Sequence, residues 1–211
     1  MMVNRLLGQH DRLEKAIKRL HDFGKVDEKQ RDEALRTLAS LCAYREVFQQ
    51  LRGASSMHIE AESLRENIAR ADAELPSFDD VRMTVTNDVP DALMLSTVWP
   101  LLQFVLKELL SNAVAAARQA NGKVMVSAAV ETFARTKCCR ICITNPGTLP
   151  EPIRNSILQR RPVPRPDGRY GIGLLAAGEV LTVLLGKLRY PETDCGVVQA
   201  DVVLVLGGDL S

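Results

Sequence analysis

The chain has 211 residues, 46% hydrophobic and 25% charged, which excludes wholesale disorder and a collagen-like repeat and allows one large domain or a compact domain with a smaller appendage. Its 27 Lys and Arg against 26 Asp and Glu leave a net charge of +1. Bulk electrostatics therefore give no reason to bind nucleic acid or an anionic membrane, and any phosphate-binding patch has to be local.

The first segment, 6–23, places Leu6, Leu7, Leu13, Ala16, Ile17, Leu20 and Phe23 at helical spacing among charged residues, which predicts an amphipathic helix. Gly24 suits its C-terminal stop, and Asp27 with Glu28 suits the start of a second helix that runs to about 51, because helix N-termini favour carboxylates. The apolar stripe of that second helix, Leu35, Leu38, Leu41, Val47, Phe48 and Leu51 among others, predicts an antiparallel helical hairpin. Two helices make a thin core, so a second copy, completing a four-helix bundle, or the rest of the chain has to cover it.

After the polar break at Gly53-Ala-Ser-Ser56 a third helical segment is expected over about 59–75, stopped by Pro76. Alternation over 81–86 predicts a strand. A long, mostly apolar helix is expected over about 96–119, with Pro100 in its first turn and Asn121-Gly122 closing it. Strands are expected over 123–132 and 137–144, then a Pro- and Arg-rich loop, a buried helix over 172–185 and a central strand over 197–206. The longest uncharged run, between Asp91 and Lys107, contains Ser96, Thr97, Pro100 and Gln103 and is shorter than the roughly 20 apolar residues of a membrane helix. The N-terminus lacks the pattern of a signal peptide, so a soluble, cytoplasmic protein without membrane attachment is expected. Five cysteines are present, three of them at 138, 139 and 142. With no second cluster to complete a metal site they read as reduced, structural thiols.

Chemistry concentrates in Lys107-Glu-Leu-Leu-Ser-Asn112. Glu108 and Asn112 are four apart and share one face of an otherwise apolar helix, beside Ala115 and Ala116. A carboxylate and a carboxamide there need a partner, and a hydrated metal ion with phosphates is one; an exposed face or a helix-end hydrogen bond is the other reading. Further on, Asn145-Pro-Gly147 ends a strand in a tight turn, and Gly171-Ile-Gly-Leu174 opens the buried helix, where glycines let backbone amides approach phosphate.

In this order the three segments resemble the ATP-binding domain shared by sensor histidine kinases, gyrase B, a heat-shock chaperone and MutL, the Bergerat-type fold of the GHKL ATPases. The resemblance covers about 77–206. It implies an α+β chain: an antiparallel helical hairpin over 1–54 for dimerisation and phosphotransfer, followed over 55–211 by a two-layer α/β sandwich with its linking helix. Glu-Leu-Leu-Ser-Asn-Ala matches the N box, so the resemblance implies that Asn112 ligates Mg²⁺ and Glu108 orients or deprotonates the attacking group. Asn145-Pro-Gly147 stands at the first glycine box, where the family carries an aspartate that reads the adenine amino group. Gly171, Gly173 and Leu174 match the second glycine box, and 150–169 corresponds to the lid, whose arginines suit phosphate.

The hairpin resembles the phosphoacceptor module of histidine kinases. His10, followed by Asp11, is the implied acceptor, with His21 and Asp22 as a second candidate. Implied with it are ATP and Mg²⁺ as cofactors, a homodimer, a response-regulator receiver domain as partner, and signal input from a sensor protein in trans or from a sensor region preceding the hairpin. The expected reaction is autophosphorylation of His10 and transfer to a regulator aspartate. Val114 to Ala117 stand where kinases often carry a basic or imidazole residue. Asn145 in place of aspartate, and Glu14 where the histidine motif expects Thr or Asn, favour a second reading, a histidine phosphotransferase or dimeric binding partner of the same architecture. A third, an anti-sigma-type serine kinase, would use the same pocket without the histidine.

Overall fold

The computed structural model describes residues 59–75, 85–149, 173–193 and 196–206, together with 19, 22, 24, 27–35, 37, 38, 151, 154, 163, 164, 170 and 171. Most of the expected hairpin, the first part of the 81–86 strand, most of the Pro- and Arg-rich loop and all three histidines lie outside them. The chain divides into one compact unit of Met1–Arg45 with Pro150–Ala176, and another of Glu46–Leu149 with Ala177–Ser211.

In the first unit residues 28–35 are helical. Asp27 Oδ1 accepts the Gln30 N–H at 2.7 Å, and Gln30 Oε1 accepts the Asp27 N–H at 3.2 Å. This reciprocal capping box gives two orphan amides of the helix start their partners, and the helix begins where the Asp27-Glu28 pair predicted a start. Leu35 and Leu38 are buried. Gly24 has φ +64°, the left-handed conformation in which helices commonly stop. A short antiparallel pair, β6 (Val163–Pro164) with β7 (Tyr170–Gly171), also belongs to this unit.

The second unit is built on a five-stranded sheet of β2 (Val85–Asn87), β4 (Val124–Phe133), β5 (Thr136–Pro146), β8 (Gly186–Arg189) and β9 (Val197–Val205), in the order β2-β4-β5-β9-β8. Only the β2·β4 pair is parallel. The branched-aliphatic run of β9 is interior, paired on both sides, which is why it reads as continuously apolar. Along β5 the residues Cys139, Ile141, Ile143 and Asn145 are buried while their alternates are more exposed, the period-2 signature of a strand with one covered face. Helix α2 (Trp99–Gln119) packs on β5 and β4, and helix α1 (Leu64–Ala73) packs on α2. Leu102, Leu106, Leu109 and Leu110 of α2 are buried, as are Leu64 and Ile68 of α1; each contributes roughly 1.5–3 kcal/mol relative to exposure.

Two expectations are corrected. The helix expected from 59 begins only at Leu64, because Glu60–Ser63 is a strand, β1, paired antiparallel with β3 (Met94–Thr97). Ser63 caps α1 by accepting the Glu66 N–H at 3.3 Å, and the Trp99 indole donates to the Glu60 carbonyl at 2.9 Å. The helix expected from 96 accordingly starts at Trp99, with Pro100 in its first turn where no amide is needed. Helix α3 (Gly173–Val183) falls where the buried helix was expected. Among the described residues no helix is long and apolar enough to cross a membrane.

One polar cluster lies inside the α1–α2 contact. Gln103 Nε2 donates to Asn67 Oδ1 and to the Asn67 carbonyl, both at 2.8 Å, and Asn67 Nδ2 donates to Glu62 Oε2 at 2.9 Å. The donors of Gln103 are thus satisfied, while its buried Oε1 has no partner among the described residues. The Lys107 ammonium and the Glu74 carboxylate close the other end of the contact as an ion pair.

Candidate functional site

The site starts from α2. Its buried stripe includes Leu109, Leu110, Ala113, Val114 and Ala117, while Glu108, Ser111 and Asn112 are half-buried and Ala115 is exposed. Glu108 and Asn112 therefore sit together on a partly open face, as the i, i+4 spacing requires. The Asn112 Nδ2 donates to the Glu108 backbone carbonyl at 2.7 Å. That bond holds the amide against its own helix and leaves Oδ1, which has no partner among the described residues, as an available neutral acceptor.

The end of α2 is a Schellman turn. Gly122 N–H donates to the Ala117 carbonyl at 2.9 Å and Asn121 N–H to the Arg118 carbonyl at 3.2 Å, with Asn121 itself at φ 50°. Asn121 thus takes the left-handed position. Gly122 is there for space: a Cβ on it would lie 2.1 Å from Pro146 Cγ. The turn that ends α2 and the end of β5 are packed directly together.

Asn145 sits at this β5 end, 6% exposed, with Nδ2 donating to the Pro146 carbonyl at 3.0 Å. Its Oδ1 has no partner among the described residues, so the amide offers a neutral acceptor where an aspartate would offer a charged one. Gly147 follows at φ +129°, a conformation that needs glycine, and its N–H is bonded to the Gly196 carbonyl at 3.0 Å. A Cβ there would meet only the Asn145 amide, at 4.0 Å.

The second unit thus contains Glu108, Asn112, Asn145 and Gly147. Gly171 lies in β7, Gly173 opens α3, and Leu174 follows it half-buried. All three belong to the first unit, and their part in a nucleotide site rests on the sequence resemblance. His10 lies outside the described residues.

Sequence reading passed over Asp201, 6% exposed in the middle of β9. The signal was present as a single carboxylate in an aliphatic run. On the sheet it is the register partner of Cys142, accepts from Gln199 Nε2 at 2.8 Å and lies 3.8 Å from the Arg140 guanidinium. Burial, followed by the nearby Asp201 carboxylate, pushes the Cys142 thiol up to about 11. Burial with neighbouring Cys138 raises Cys139 likewise to about 11. All three described cysteines are free thiols.

No family model matches the chain, and no curated protein does. Among solved structures it is similar to the histidine kinase AdeS of Acinetobacter baumannii, at 13% identity over 96% of this chain and 98% of that one, with a TM-score of 0.53. The chain has a histidine-kinase-like α+β fold.

Proposed function

We propose that this is a two-component-type signalling protein that binds ATP with Mg²⁺, transfers the γ-phosphoryl group to His10 and passes it to an aspartate of a response-regulator receiver domain. The observation that carries the reading is the Asn112 amide, clamped by Nδ2 on the Glu108 carbonyl so that Oδ1 is left to ligate a cation. The donor set suits magnesium, which prefers oxygen, keeps several waters and is usually bound through one or two protein groups plus substrate phosphates. Among the described residues no group of three or more His, Cys, Asp or Glu side chains is placed to hold a metal ion, so Asn112 would share it with phosphate oxygens. Bound there, Mg²⁺ supplies neutralisation of charge on the transferring phosphoryl group.

The chain's own residues would do the rest. Asn145 Oδ1 accepts from the adenine amino group, and Glu108 takes the proton from, or orients, the attacking imidazole. In the transfer the bond from the γ-phosphorus to the bridging oxygen breaks, a nitrogen–phosphorus bond forms and ADP leaves. Incubation with γ-labelled ATP and Mg²⁺ gives acid-labile, base-stable label that His10→Gln and Asn112→Ala lose; absence of both nucleotide binding and label overturns the proposal.

One observation favours a second reading. The Asn145 amide lacks the charge of the family's aspartate and has Nδ2 committed to Pro146, which weakens adenine recognition and suits a histidine phosphotransferase that needs no ATP. Label that arrives only from a phosphorylated donor protein selects that reading.

A further inference from the structure

Among the described residues the sheet has one long open edge. β4 runs from Val124 to Phe133, but β2 pairs with it only from Val124 to Val126. Beyond that, 127–133 has β5 on one side and nothing described on the other. Its residues are exposed except for half-buried Ala128, with Val130 at 50% and Phe133 at 74%.

Which backbone groups face that edge follows from one bond. Asp88, just after β2, donates its N–H to the Val126 carbonyl at 2.8 Å, so Val126 directs its polar groups away from β5. In an antiparallel ladder successive residues alternate sides. Ala128, Val130 and Thr132 therefore present outward N–H and C=O groups that have no partner among the described residues.

Natural edges of this length are blunted by Lys, Pro, a bulge or an inward charge. The sequence Ser127-Ala-Ala-Val-Glu-Thr-Phe133 has no Lys or Pro, and its register with β5 runs without a bulge. Its one charge, Glu131, is held by Arg140 of β5 at 2.7 Å. The edge is also self-complementary. Turned antiparallel about Val130, it sets Val130 opposite Val130 of a second copy and Ala128 opposite Thr132, each a pair that exchanges two backbone hydrogen bonds. Every outward group of Ala128, Val130 and Thr132 is then satisfied. On the other face Glu131 meets Ala129 rather than another carboxylate, and Phe133 meets Ser127, so no like charges oppose each other.

We propose that the 127–133 edge of β4 pairs with the same edge of a second copy of this chain, antiparallel about a two-fold axis at Val130, joining two sheets into one. The pairing is separate from any hairpin dimer and rests on the sheet alone, not on nucleotide chemistry.

The test uses the full chain. Ala128→Cys and Thr132→Cys chains are mixed under mild oxidation and the disulfides mapped by peptide mass; the expected product is an intermolecular 128–132 link that neither chain forms with itself. Val130 is half exposed, so Val130→Lys leaves the fold intact, as thermal melting checks, and sets like charges opposite each other. In sedimentation it loses the association step, which mixing with Val130→Glu restores. Absence of the 128–132 link in chains that melt like the parent overturns the proposal. So does a Val130→Lys chain that sediments like the parent at every concentration. An edge filled by another protein's strand gives both of these negative results in the purified chain.

Discussion

Gly122 and Pro146 are packed so closely that a single methyl group between them would lie 2.1 Å from the Pro146 ring. One ends the helix that carries Asn112, and the other follows Asn145 directly, so this contact sets the end of α2 against the end of β5. Gly122→Ala is expected to destabilise the protein by about 1–3 kcal/mol, the usual cost of overpacking, since a proline ring has no rotamer with which to escape. Urea unfolding followed by the fluorescence of Trp99, the chain's one tryptophan, measures it; an unchanged midpoint would show that the β5 end yields freely.

Asn112→Ala separates function from stability. Among the described residues the amide bonds only its own helix carbonyl on a half-buried face, so its loss is expected to change stability by less than about 0.5 kcal/mol. Magnesium-dependent nucleotide binding, measured by calorimetry with and without Mg²⁺, is expected to disappear.

The thiols give a pH dependence. Cys139 and Cys142 are raised from the ordinary 9.0 to about 11, so the folded chain holds these protons more tightly than the unfolded one. Their contribution to stability is fully present below pH 9.0 and is lost as pH rises through about 11. Stability should fall across that window, and Cys139→Ala combined with Cys142→Ala should flatten the fall. Denaturation midpoints taken at pH 8, about 10 and about 11 decide it, and an equally steep fall in the variant would place the titration elsewhere.

Besides Asn121, three of the described non-glycine residues occupy left-handed backbone where glycine or asparagine is favoured. Ala134 and Arg135, at φ 46° and 72°, form the two-residue turn between β4 and β5, and Leu185, at φ 54°, ends α3. A side chain there costs roughly 1–2 kcal/mol. Ala134→Asn with Arg135→Gly restores the residues that such hairpin turns prefer, and Leu185→Asn does the same for the helix end. Each change is expected to gain about 1 kcal/mol, read as a higher melting temperature; a loss would mean that the native side chain makes a contact worth more than the strain.

The sequence by itself determined the elements whose signals are local. Pro100 and Asn121-Gly122 bracketed the long helix, two strand runs about a short polar turn marked β4 and β5, and the aliphatic run marked an interior β9. The i, i+4 spacing alone put Glu108 and Asn112 on one face. It did not reveal β1, because Glu-Ala-Glu-Ser has good helix formers and becomes a strand only through pairing of Glu60 with Thr97 and the other rungs of that ladder. Tertiary structure also decided that Asn145 is buried with one amide bond made, that Gly122 is required by Pro146 rather than by its own backbone angle, and that Asp201 lies beside Cys142. The reason is range: caps, turns and periodicity act over a few residues and are written in order along the chain, whereas burial and cross-strand neighbours depend on segments far apart in sequence that meet only when their apolar faces close on a common core.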